Sequence, residues 1–108
     1  MAESYCVILT TTGSRAEADR IAEALVSRRL AACVQIAEIS STYMWKGQVT
    51  REPEHLLLIK TASRLYKDIE SAIQELHSYE IPEIVQLPIE QGFDRYLNWI
   101  DESTTEGI

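Results

Sequence analysis

Residues 77–84 read His-Ser-Tyr-Glu-Ile-Pro-Glu-Ile, and they gather one of the chain's two histidines, a tyrosine and two glutamates around Pro82. An imidazole nitrogen and a carboxylate oxygen make a usable ligand pair for a borderline cation such as Cu²⁺ or Zn²⁺. His77 with Glu83 is that pair, and Glu80 is a third candidate. Two ligands hold an ion weakly, because selective sites take three or four groups. The same residues equally suit a plainer arrangement, in which His77 caps a helix carboxyl end and Glu83 pairs with a lysine or arginine. No other stretch offers catalysis: no nucleophile has a paired base, and neither a Walker loop nor a Rossmann fingerprint occurs. The expectation is a protein that is not an enzyme.

The composition narrows the classes. The chain has 108 residues, enough for one domain over residues 1–108 with a real core. Seventeen acidic residues against ten basic ones give a net charge of −7, which repels phosphate backbones and argues against nucleic acid as a partner. No apolar run reaches the ~20 residues of a membrane helix. Residues 1–4 show neither a basic region nor a cleavage site, so the expected location is cytoplasmic. Cys6 and Cys33 sit in separate apolar runs and are expected as buried free thiols.

Periodicity then sets the elements that must position His77 and Glu83. Residues 5–12, Tyr-Cys-Val-Ile-Leu-Thr-Thr-Thr, read as a buried strand. Ser14 and Glu17 have the capping-box spacing, and Ala18, Ile21, Ala22, Leu25 and Val26 form a helical stripe ending near Arg28–Arg29. Glu17, Asp19 and Asp94 are read as surface charge on their helices. A long hairpin follows, residues 31–46 out and 48–61 back, turning at Lys46-Gly47. Within it His55 reads as a solvated strand residue, and Lys60 as a snorkelling side chain or an anion contact. Ser63 opens a second helix with Leu65, Ile69, Ala72, Ile73 and Leu76 inward, and Pro82 stops it. Residues 83–89 read as a fourth strand, and Phe93, Tyr96, Leu97 and Ile100 define a short terminal helix before a polar end, 102–108, expected to fray.

The order strand-helix-strand-strand-helix-strand predicts an α+β, ferredoxin-like (βαββαβ) antiparallel sheet with both helices on one face. Each hairpin arm of ~13 residues reaches roughly 44 Å, whereas a compact chain of this length is only about 34 Å across. Unless Pro53 folds the ribbon back, Tyr43, Met44, Trp45 and Val49 stand in water along an unpaired edge, which invites another chain. Tyr43, Met44, Trp45 and Trp99 are therefore expected at an oligomer interface.

These residues also carry a resemblance. Leu-Ala-Ala-Cys-Val-Gln-Ile at 30–36, the Tyr43/Trp45/Gly47 spacing, Leu-Leu-Leu-Ile-Lys-Thr at 56–61, His77/Tyr79/Pro82/Glu83/Ile84, Leu-Pro-Ile at 87–89 and Gly92/Tyr96/Trp99 occur in order across nearly the whole chain. Together they resemble the CutA-type divalent-cation-tolerance proteins. The resemblance implies a homotrimer whose hairpins pair between subunits, and a weakly bound divalent cation such as Cu²⁺. It also implies a cysteine ligand at the end of the first strand. Thr10 stands there, so the implied site is harder, built from His77, Glu83, Glu80 and water or a neighbouring subunit's group. The runner-up is a PII-like trimeric regulator or scaffold that binds a small effector in intersubunit clefts, argued from fold analogy alone.

Overall fold

The computed structural model describes residues 4–105, so what was read from residues 1–3 and from 106–108 lies outside the described residues. The elements run β1 (Tyr5–Thr12), α1 (Arg15–Ser27), β2 (Cys33–Trp45), β3 (Gln48–Ala62), a 3₁₀ turn (Ser63–Leu65), α2 (Tyr66–Leu76), β4 (Val85–Ile89) and α3 (Asp94–Ser103). One sheet in the order β2-β3-β1-β4, with every neighbour antiparallel, gives the expected ferredoxin-like topology.

Local chemistry explains most boundaries. The Ser14 hydroxyl accepts from the Glu17 N–H at 3.2 Å and starts α1. That helix ends at Ser27, with Arg28 as cap and Arg29 in the left-handed region at φ 60°. Lys46 and Gly47 both have positive φ, 50° and 78°, as a two-residue turn matching strand twist requires. α2 begins only at Tyr66, because Ser63 donates its N–H to Ser4 and is spent in the 3₁₀ turn.

Alternation along the strands divides the sheet into two faces. Cys6, Ile8, Leu57 and Ile59 point to the helix side and pack against Ala18, Ile21 and Leu25 of α1 and Ile69, Ala72 and Ile73 of α2. Full burial of each isoleucine contributes about 2–3 kcal/mol. Neither α1 nor α2 packs on the other face, and β3 is also met by α3. There the register sets Val7 beside Leu87, and Leu9 between Leu58 and Val85.

Pro53 does not fold the ribbon back. It sits opposite Ser40 inside continuous pairing that runs from Cys33↔Lys60 to Trp45↔Gln48. Since β1 ends at Thr12, opposite His55, the outer edge of β3 is unpaired at Pro53 and tolerates its missing N–H. The ribbon stays extended, and the molecule measures 47 × 26 × 21 Å.

Two expectations need correction. β4 starts at Val85, not at Glu83: continuing its register sets residue 83 opposite Thr11, whose carbonyl already accepts from the His77 ring. In α3 only Ile100 is fully buried, and Phe93, expected on the inner stripe, is exposed.

Candidate functional site

His77 is the carboxyl cap of α2, its N–H bound to the Ile73 carbonyl at 2.8 Å. Its side chain is wholly buried and its ring is held at both nitrogens. Nδ1 accepts from the Tyr79 N–H at 3.0 Å, so the ring proton lies on Nε2, which donates to the Thr11 carbonyl at 2.6 Å. Two backbone partners with fixed roles thus determine the tautomer. Beside the ring, the Glu17 carboxylate accepts from Ser78 N–H at 2.6 Å and from Ser78 Oγ at 3.1 Å.

Glu17 was read as surface charge, and the structure corrects this: only 6% of it is exposed. The signal was present, since Glu17 precedes Ile21 and Leu25 by four and eight residues and so lies on the buried stripe. Its carboxylate does not close the capping box. It crosses to the loop after α2 and fastens residues 77–79 against the end of β1.

So fastened, the loop passes Gly13 and reaches the helix-free face of the sheet. A Cβ at Gly13 would lie 3.0 Å from the Tyr79 hydroxyl, so glycine is what lets the ring through. The Tyr79 hydroxyl then donates to Glu54 Oε2 at 2.8 Å. Burial, followed by the Glu54 carboxylate, pushes the Tyr79 phenol up to about 12. Between this loop and the ribbon lies an open groove of about 790 Å³. Tyr43, Trp45 and Tyr79 supply its rings, and Glu52, Glu54, Glu80 and Glu83 its carboxylates. The Glu52 carboxylate beside Tyr43 raises that phenol as well, with burial a smaller cause.

The structure separates the other candidates. Glu83 and Glu80 are exposed on the groove wall and form no ion pair among the described residues, so the lysine or arginine partner considered for Glu83 is not found. His77 lies behind them with no nitrogen lone pair to offer unless the Tyr79 amide is displaced. Thr10 faces the core, fully buried, with its hydroxyl unpartnered, and cannot reach a site on the opposite face. Among the described residues no group of three or more His, Cys, Asp or Glu side chains is placed to hold a metal ion. The ligand set implied for a divalent cation therefore does not fit this arrangement as a closed centre.

Around the groove, Trp45 is 59% and Met44 65% exposed at the ribbon tip, with Val49 close by. Trp99 stacks on Tyr96 of α3 at 5.6 Å, with both rings open to solvent. Lys60 donates to Gln35 Oε1 at 2.6 Å rather than meeting an anion. His55 is not solvated as expected: it is half-buried, and its Nδ1 has no partner. Cys6 is buried, and burial raises its thiol, but Cys33 is only half-buried.

Residues 6–103 match the sequence model of the CutA1 divalent ion tolerance protein family. The chain belongs to the CutA1 family. A divalent-cation tolerance protein CutA of Thermus thermophilus is 44% identical over 99 residues, which span 91% of this chain and 96% of that one. The solved structure of the periplasmic divalent cation tolerance protein CutA of Archaeoglobus fulgidus superposes with a TM-score of 0.92. It is 37% identical, covering 94% of this chain and 99% of the other. A chloroplastic CutA of Arabidopsis thaliana is 38% identical over 91% of this chain and 54% of its own length. These relatives overturn the cytoplasmic expectation, for CutA1 proteins are described from the periplasm and the chloroplast, and membership does not place a chain in the cytoplasm. No helix among the described residues is long and apolar enough to cross a membrane.

Proposed function

We propose that this CutA1 chain acts as a homotrimer in divalent-cation tolerance, binding cations such as Cu²⁺ weakly and without enzymatic chemistry. One observation carries the assembly: the sheet face away from α1 and α2 is apolar and largely open. Val7, Leu9, Leu56, Leu58, Val85 and Leu87 alternate with the core residues and lie only half-buried or exposed. Strands that are apolar on both faces belong to sheets covered on both sides, and here α1 and α2 cover only one of them. The extended ribbon, with its open Met44, Trp45 and Val49, carries the same demand along a molecule 47 Å in its longest dimension. A closed ring of subunits satisfies both without forming fibres.

In this reading Glu83 and Glu80 meet the cation as exposed carboxylates, while His77 holds the loop that carries them. Light scattering on the purified protein tests the assembly: three chains of 12.3 kDa give about 37 kDa, and a mass near one chain at micromolar concentration rules the trimer out. Calorimetric titration of Cu²⁺ into wild type, Glu83→Gln and Glu80→Gln tests the cation contact. The heats should shrink in the variants, and unchanged isotherms would remove these residues from it.

A further inference from the structure

Imidazole nitrogen and thiolate sulfur are the donors that set Cu²⁺ and Zn²⁺ apart from harder cations. This fold withholds both from the loop after α2. The His77 side chain is wholly buried. Its Nδ1 accepts the Tyr79 N–H at 3.0 Å, and its Nε2 donates to the Thr11 carbonyl at 2.6 Å, so neither nitrogen is free to ligate. Ligation through Nδ1 would strip the Tyr79 amide of its acceptor, and ligation through Nε2 would strip the Thr11 carbonyl of its donor. Each buried backbone group left unpaired would lower affinity roughly ten- to a hundredfold.

The ring is also braced from three elements. Glu17 of α1 holds the adjacent Ser78 through bonds of 2.6 and 3.1 Å, β1 supplies the Thr11 carbonyl, and Glu54 of β3 takes the Tyr79 hydroxyl. Turning the imidazole outward would undo all three attachments together. His55 cannot replace it, because it alternates with Glu54 along β3 and shares the side of Leu57 and Ile59, with Nδ1 buried. Cys6 lies in the core, where burial raises its thiol away from the thiolate that a metal needs. Cys33 is set opposite Lys60, whose ammonium repels a dication. Lys60 pairs with Val7, well along β1 from the loop's fastening at Thr11.

We infer that His77 withholds its imidazole from any divalent cation this chain binds, so that the contact is made by oxygen alone and suits hard ions such as Mg²⁺, Ca²⁺ and Mn²⁺ as well as Cu²⁺ or Zn²⁺. This specificity rests on the function proposed above, in which Glu80 and Glu83 supply the carboxylates. His77 is then a positioning residue, acting on the ion only through the loop it holds. Carboxylate, carbonyl and water donors match hard cations, and water completes a coordination sphere that the protein fills only in part.

The test is long-range ¹H–¹⁵N NMR of the imidazole nitrogens in the full-length protein titrated with Zn²⁺. The ¹³C signals of the glutamate carboxyls and the cysteine Cβ atoms are followed in the same samples. Saturable carboxyl shifts at Glu80 or Glu83 are expected, while His77 keeps its Nε2–H pattern and an unmoved Nδ1. Mg²⁺ and Ca²⁺ should shift the same carboxyl signals. A saturable Zn²⁺ shift at either imidazole or either cysteine overturns the oxygen-only contact and leaves the cation reading intact. Carboxyl shifts with Zn²⁺ but with neither Mg²⁺ nor Ca²⁺ overturn the hard-ion class. If no signal moves at millimolar Zn²⁺, the cation reading falls and the specificity falls with it.

Discussion

The Nε2 of His77 lies 2.6 Å from the carbonyl oxygen of Thr11, joining the end of α2 to the end of β1 through a side chain that no solvent reaches. This bond ends β4 two residues early and, with the Tyr79 N–H on Nδ1, selects the ring tautomer. His77→Ala leaves the Thr11 carbonyl and the Tyr79 N–H without partners and opens a buried void. The expected loss is about 3 kcal/mol in urea unfolding. The loss should be the same with and without chelator; a chelator-sensitive difference would show the ring holding a metal instead.

Tyr79 gives a pH prediction. Its folded-state pKa is raised from the ordinary 10 to about 12, so the folded protein holds the phenol proton more tightly than the unfolded chain does. The resulting stabilisation is fully present below pH 10 and is lost as pH rises through about 12. Tyr79→Phe should flatten the fall of stability in that window and remove the highest-titrating phenol from the absorbance titration. An unchanged titration curve would mean that Tyr79 does not meet Glu54 in solution.

Gly13 and Tyr79 should be energetically coupled. Gly13→Ala brings a methyl to 3.0 Å from the Tyr79 hydroxyl but only to 3.8 Å from the ring carbons. In wild type the substitution should cost about 1 kcal/mol. In the Tyr79→Phe background, where the clashing oxygen is gone, it should be close to neutral. A double-mutant cycle with no coupling would refute the close passage of the loop over Gly13.

Leu87 reports on the helix-free face. It is 50% exposed in the single chain, where a polar replacement costs within about 0.5 kcal/mol. If that face is shared between subunits, Leu87→Glu buries a charge at the contact. Light scattering should then return a mass near 12.3 kDa while circular dichroism stays unchanged.

Much of the architecture was legible because it follows from short-range patterns. Ala18, Ile21 and Leu25 at helical spacing, Ser14 before Glu17, and Lys46-Gly47 between two long arms each encode a local geometry that tertiary contacts only reinforce. The ribbon's overreach was legible too, since arm length can be compared with the size of a compact chain. The helix-free apolar face was visible in the unbroken apolar run of β1, yet its meaning depended on which strand neighbours which.

The candidate site was less legible, because side chains far apart in the chain decide it. Sequence by itself determined the secondary elements, the ferredoxin-like order and the family, since all three are written in spacing along the chain. Only the tertiary structure set the His77 ring between the Thr11 carbonyl and the Tyr79 N–H, buried Glu17, and brought Glu54 to Tyr79. A histidine's lone pairs and a carboxylate's exposure are set by what packs against them, and Thr11, Ser78 and Tyr79 were brought there by the fold, 66, 61 and 25 residues away from their respective partners.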